Sequence, residues 1–178
     1  DGSRIAFCAD FGGVAPIDPE IGNLVATAVG TFAECGAVVE EACFDIDGLP
    51  DIIAGTRAFG MVGRYADLLD THRDVMTPPL LNQASEAMTF DVRTIADAER
   101  LRTVYWHRVR RLFETYDFVV TPTLGIAAFA LDDTMPMDVG GKTAESFLDL
   151  ILTTYAFSVT GLPAASVPCG FTADGLPV

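Results

Sequence analysis

Between residues 4 and 42 the chain reads strand, helix, strand, and that rhythm limits its architecture more than any other feature. The stretch RIAFCAD, residues 4–10, alternates and then runs apolar into Gly12 and Gly13, as a buried strand entering a loop does. Asp18 is placed to cap a helix and Pro19 to take its first position. Ile21, Leu24, Val25, Ala28, Phe32 and Cys35 then recur at helical spacing until Gly36. On that stripe Cys35 is expected in the core, where a thiol packs as a small hydrophobe. AVVEEA, residues 37–42, supplies the second strand and completes a βαβ rhythm.

The middle of the chain is expected to be helical. Residues 51–70 carry Ile52, Ile53, Phe59, Val62, Tyr65 and Leu69, and Gly55, Gly60 and Gly63 weaken that helix by about 1 kcal/mol each relative to alanine. Pro78 and Pro79 punctuate it. A longer amphipathic helix, residues 94–116, gathers Ile95, Ala98, Leu101, Tyr105, Val109, Leu112, Phe113 and Tyr116 on one side and arginines on the other. It feeds FVVTPT, residues 118–123, a short apolar run expected as a strand buried on both faces of a parallel or mixed sheet. An irregular loop to Gly141 and a helix over residues 143–157 follow. Ala164 to Cys169 reads as a strand, with a turn at Ala173-Asp174-Gly175 returning a partner strand at residues 176–178. The expected class is α/β, a mixed sheet flanked by helices in a single domain over residues 1–178.

The formal charge of −14 works against nucleic acid, whose phosphates need lysine and arginine, and against an acidic membrane surface. Five of the eleven cationic side chains, Arg100, Arg102, Arg108, Arg110 and Arg111, fall in one window, which reads as a solvated helix face with arginines at its dipole's negative end. No unbroken apolar stretch is long enough to span a bilayer. Cys8, Cys35, Cys43 and Cys169 have no disulfide-framework spacing, so a reducing compartment, the cytoplasm, is expected. Hydrophobic residues make up 50% of the chain. That excess predicts an apolar surface facing something else, either a homo-oligomer partner or a layer outside these residues.

The motifs of common chemistries are incomplete. GGKT at residues 140–143 looks like the tail of a phosphate-binding loop, but Pro136 stands where that motif needs glycine. His72 and His107 lack the further converging ligands that a metal requires and read as surface or helix-end histidines. Glu40-Glu41 and Asp132-Asp133 are adjacent pairs, which a strand would send to opposite faces, so neither suits a carboxylate dyad.

The order RIAFCADFGGVAPIDPEI, FAECGAVVEE, ERLRTVYWHRVRRLFETYDFVVTPT and FSVTGLPAASVPCGFTADGLPV resembles the C-terminal part of the amidase signature family, over nearly the whole chain. The closing Gly-Leu-Pro region is its most specific portion. The resemblance implies hydrolysis or transfer of non-peptide amide nitrogen, with no metal and no organic cofactor. It implies a Ser-Ser-Lys arrangement, in which a lysine acting through a bridging serine activates a nucleophilic serine. These 178 residues contain no Ser-Ser pair, and Lys142 is their only lysine, so no catalytic residue is assigned in the chain.

What the resemblance implies here is substrate-side structure: Thr121, Pro122, Thr123 and Gly161 as residues that line or support a pocket for a small amide substrate. The same four residues also read as strand-end and helix-end punctuation. Ser158 departs from the family pattern, which carries asparagine before the Thr-Gly-Leu-Pro. The chain ends at Val178 inside what reads as an element, and it does not begin with methionine. A C-terminal portion, inactive alone and completed by a missing N-terminal portion of the same fold, is therefore expected. The alternatives are a non-catalytic binding or scaffold domain of that fold, or a piece of the glutamyl-tRNA amidotransferase component that belongs to this family.

Overall fold

A computed structural model describes residues 2–130 and 136–178; Asp132 and Asp133 lie outside the described residues. The chain divides into two compact units, one of residues 1–46 and 108–178, the other of residues 47–107.

The first unit is built on the βαβ rhythm. β1 (Arg4–Phe7) and β2 (Val38–Glu41) are parallel, joined by helix α1 (Pro19–Glu34), and β3 (Phe118–Val120) pairs parallel to β1 on its other side, giving the order β2-β1-β3. Asp18 caps α1: its Oδ1 accepts from the Glu20 amide at 2.8 Å, with Pro19 in the first turn. The helix buries Ile21, Val25 and Val29 against Phe7, Val39 and Val120 on one sheet face. That stripe repeats every four residues, so it drifts away from the positions expected to be buried further along. Phe32 is 42% exposed, and Cys35, beyond the last helical residue, is an exposed thiol rather than a core residue.

β3 differs from its expected setting. It is an edge strand among the described residues, and Phe118 is 57% exposed, because nothing in this unit pairs with its far side or covers its first residue. Antiparallel pairing occurs instead in a separate two-stranded ladder of β4 (Asp138–Val139) and β5 (Lys142–Thr143). The glycines of GGKT form its turn, Gly140 at φ +60° and Gly141 at +77°, conformations that favour glycine in a two-residue hairpin. This ladder replaces part of the expected irregular loop.

The helix expected over residues 143–157 is two short ones, α5 (Phe147–Leu150) and α6 (Leu152–Ser158), interrupted at Ile151. Residues 164–168 are exposed and form no strand, contrary to the expectation from sequence. The closing turn does form: Gly175 donates to the Thr172 carbonyl at 2.9 Å, and Val178 exchanges backbone bonds with Cys169 and Gly170.

Two of the four cysteines are bonded, which corrects the expectation of a chain without disulfides. Cys8 and Cys43 are joined, with Cα atoms 4.9 Å apart. The register brings them near: Phe7 pairs with Glu41, so Cys8 continues beside Ala42, one residue short of Cys43, as the chain leaves both strand ends on the same edge.

The second unit is helical. α2 (Leu49–Thr71) buries Leu49, Ile52, Ile53 and Ala58 but leaves Phe59 73% exposed. A short 3-10 turn (Arg73–Val75) precedes α3 (Pro78–Ala87), where the prolines read as punctuation open a helix instead, since the first turn needs no amide donor. α4 (Val92–Leu112) contributes its first part here and its last turns to the first unit. Its arginines are mostly in exposed pairs along the helix, Arg100 with Asp97 at 3.2 Å, Arg102 with Glu99 at 2.9 Å and Arg110 with Glu114 at 2.6 Å, as a solvated face requires. No helix among the described residues is long and apolar enough to cross a membrane.

Candidate active-site support at the strand ends

Parallel strands deliver their C-terminal ends to one edge of a sheet, and in open α/β sheets that edge is where ligands bind. The loop after β1 and the segment after β3 both leave from this edge. Cys8 prolongs the ladder by donating to the Val120 carbonyl at 2.9 Å. The chain then turns tightly: Asp10 accepts from the Gly13 amide at 2.9 Å through its carboxylate and from the Ala15 amide at 2.9 Å through its carbonyl. Phe11 occupies the left-handed region, φ +55°, which a bulky residue adopts only when its surroundings hold it there. They do: its ring is 4% exposed, 5.4 Å from that of Phe44 and 6.3 Å from that of Phe157. Lys142 reaches across to the same loop, its ammonium donating to the carbonyls of Gly13 and, at 3.2 Å, Ala15.

After β3 come three of the nominated residues. Thr121 is partly buried, and its Oγ1 is buried without a partner among the described residues. Pro122 is fully buried. Thr123 is exposed and is the most connected of the three. Its carbonyl oxygen accepts from Thr153 Oγ1 at 2.7 Å and from Thr154 Oγ1 at 2.9 Å, while its own hydroxyl lies 2.9 Å from Ser166 Oγ. β3, α6 and the segment before Cys169 therefore meet at one residue.

Gly161 lies past the end of α6, at φ +72°, where it lets the chain leave the helix. Thr160 fixes that exit, its hydroxyl donating to the Phe157 carbonyl at 2.6 Å and accepting from the Leu162 amide at 3.1 Å. Gly161 thus bears on the cluster through the chain it releases, which brings Ser166 to Thr123. Ser158 donates to the Thr154 carbonyl at 2.9 Å within its own helix.

Thr153, Thr154 and Ser166 were not singled out by sequence. Threonines inside a helix carry no mark of the distant carbonyl they will reach. The site is a set of hydroxyls and backbone groups: it can position and hydrogen-bond a polar substrate, and it offers no acid–base pair. The histidines lie elsewhere, His72 beside Thr71 Oγ1 at 2.8 Å and His107 edge-on to Trp106. Among the described residues no three His, Cys, Asp or Glu side chains gather where a metal could be held.

A parallel sheet of this topology, flanked by helices and with a polar cluster at its strand ends, is an α/β scaffold. Comparison with known proteins defines it further: the amidase family model matches residues 1–178, and the chain belongs to that family. An acylamidase of Rhodococcus erythropolis is 31% identical over 181 residues, covering 99% of this chain and 37% of the relative. The A component of the glutamyl-tRNA(Gln) amidotransferase of Alkaliphilus metalliredigens is 26% identical, covering 89% of this chain and 36% of the relative. Among solved structures, a bacterial aryl acylamidase of the amidase signature family superposes with a TM-score of 0.82 at 26% identity, over 99% of this chain and 38% of that one. A 6-aminohexanoate cyclic dimer hydrolase shares the fold, with a TM-score of 0.81 at 19% identity, over 99% of this chain and 40% of that one. The chain therefore spans well under half the length of these relatives.

Proposed function

We propose that the chain is the substrate-side portion of an amidase that hydrolyses non-peptide amide bonds. The family match along all 178 residues carries this reading, together with an acylamidase relative at 31% identity. The nucleophilic serine, its bridging serine and the lysine that activates them lie outside these residues, as does the rest of the fold that partners them. Two observations support this assignment. The chain has no Ser-Ser pair, and its one lysine holds its ammonium against the carbonyls of Gly13 and Ala15, whereas a general base must present a neutral amine to a serine hydroxyl.

In this reading the Thr123 node works on the substrate side. Two threonine hydroxyls fix the strand-end carbonyl, Thr123 forms part of the pocket wall, and Thr121, whose hydroxyl is buried, supports it. Catalysis depends on such positioning, because small displacements of a bound amide from the attack geometry cost large factors in rate. The complete reading frame that encodes these residues, expressed and given aryl and aliphatic amides, should release amine, and the 178 residues alone should not. An inactive complete protein would contradict the proposal. The amidotransferase relatives support a second reading, a piece of such an amidotransferase component. Transfer of the amide nitrogen to an acceptor, rather than its release, distinguishes that reading.

A further inference from the structure

We propose that the Cys8–Cys43 bond is a thiol-exchange site, at which an anionic low-molecular-weight thiol attacks Cys43 from an arginine-lined groove and Cys8 is the leaving thiol. This site stands on the first unit alone and does not depend on the amidase reading.

The two sulfurs of the pair are unequally placed. Cys8 is 0% exposed, at the end of a central strand with its amide committed to Val120, whereas Cys43 is exposed and lines an open groove of about 410 Å³. Exchange requires an incoming thiolate to reach one sulfur, so access selects Cys43. The groove also selects the charge of the attacker. Arg108 and Arg111 border it on the last turns of α4 together with Asp45, which pairs with Arg108 at 3.4 Å, so the lining carries two guanidinium groups and one carboxylate. In a protein of formal charge −14, such a groove is a place where a carboxylate-bearing thiol is drawn in rather than repelled.

Atoms and electrons balance in this exchange. The thiolate sulfur forms a bond to Cys43 Sγ, the Cys8–Cys43 bond breaks, and Cys8 leaves with the electron pair and takes a proton. A second thiolate then attacks the adduct, releasing the small-molecule disulfide and Cys43. The net change reduces one protein disulfide and oxidises two thiols. In a reducing compartment this equilibrium acts on structure near the candidate site. Cys43 is followed by Phe44, whose ring is 5.6 Å from that of Phe157 on α6, and α6 also carries Thr153 and Thr154, which hold the Thr123 carbonyl.

The test uses the full chain with Cys35→Ser and Cys169→Ser, so that only this pair reports. The oxidised protein is treated with reduced glutathione, and in parallel with uncharged 2-mercaptoethanol at matched thiolate concentration, then quenched in acid and mapped by mass spectrometry. The adduct is expected on Cys43, with Cys8 as free thiol. Arg111→Glu, at an exposed position, should slow glutathione by about 3- to 10-fold at low salt and leave mercaptoethanol unchanged, and the difference should shrink at about 1 M salt. An adduct on Cys8, exchange only in denaturant, or a glutathione rate indifferent to Arg111→Glu would overturn the proposal. So would a pair that stays as two thiols in the presence of oxidised glutathione.

Discussion

The carbonyl oxygen of Thr123 accepts the buried hydroxyl of Thr153 at 2.7 Å, a bond that spans thirty residues of sequence and ties the end of β3 to α6. Thr154 adds a second donor to the same oxygen at 2.9 Å. Replacing Thr153 by valine keeps its shape and removes one donor, at an expected cost of about 1 kcal/mol. The double change Thr153→Val with Thr154→Val strips the carbonyl of both and should cost more than the two singles summed, by about 1 kcal/mol. Urea unfolding of the four proteins measures this, and strict additivity would show that the two hydroxyls do not share an acceptor.

Glycines separate the close contacts from the open positions. A Cβ on Gly125 would stand 2.0 Å from the Pro16 carbonyl oxygen, a backbone atom that can move only with its loop. Gly125→Ala should destabilise the chain by about 2–3 kcal/mol. On Gly60, in α2, the added methyl meets nothing within 4 Å. Gly60→Ala should stabilise by about 0.5–1 kcal/mol, since the helical alanine loses less backbone entropy. Thermal or urea unfolding should move the two variants in opposite directions.

Removing the Cys8–Cys43 cross-link, by reductant or by Cys8→Ala with Cys43→Ala, frees a loop with a sequence separation of 35 residues. Loop-closure entropy for that span is about 4 kcal/mol, and less reaches the measured value where the reduced chain retains structure. The oxidised chain should unfold at clearly higher urea concentration than the reduced one. Coincident transitions would contradict the cross-link.

Asp91 stands before α4 and accepts from both the amide and the hydroxyl of Thr94 at 2.7 Å. The amide of Thr94, then its hydroxyl, hold the carboxyl below its ordinary value. A depressed folded value means that this contribution is complete above the ordinary carboxylate range near about 4 and fades as pH falls through the lower folded value. The protection factor of the Thr94 amide should therefore fall on acidification, and Asp91→Ala should show the lower protection at every pH. An acid-insensitive Thr94 amide in the native chain would refute the cap.

Local chemistry was the part of the fold that could be read from sequence. Asp18-Pro19 started α1 where expected, and the βαβ unit followed, because caps and periodicity act over a few residues. The Cys8–Cys43 bond was hidden by its reach: even the parallel register of β1 and β2, with Phe7 facing Glu41, sets Cys8 beside Ala42 and leaves Cys43 one residue further on. α3 was missed because a Pro-Pro pair stops one helix and starts another with equal ease. At the candidate site, Thr121, Pro122 and Thr123 were nominated through family resemblance. Thr153, Thr154 and Ser166 were not, since a hydroxyl's partner is set by tertiary placement rather than by its neighbours in the chain.

If these residues carry the substrate side of an amidase and not its nucleophile, the purified chain is inert toward both amides and serine-directed reagents. It should be incubated with an amide substrate and, separately, with a fluorophosphonate that captures activated serines. Amine release no faster than the protein-free blank, and no labelled serine, are expected; turnover above blank, or covalent capture of any serine in residues 1–178, would place the nucleophile within the chain and end the proposal.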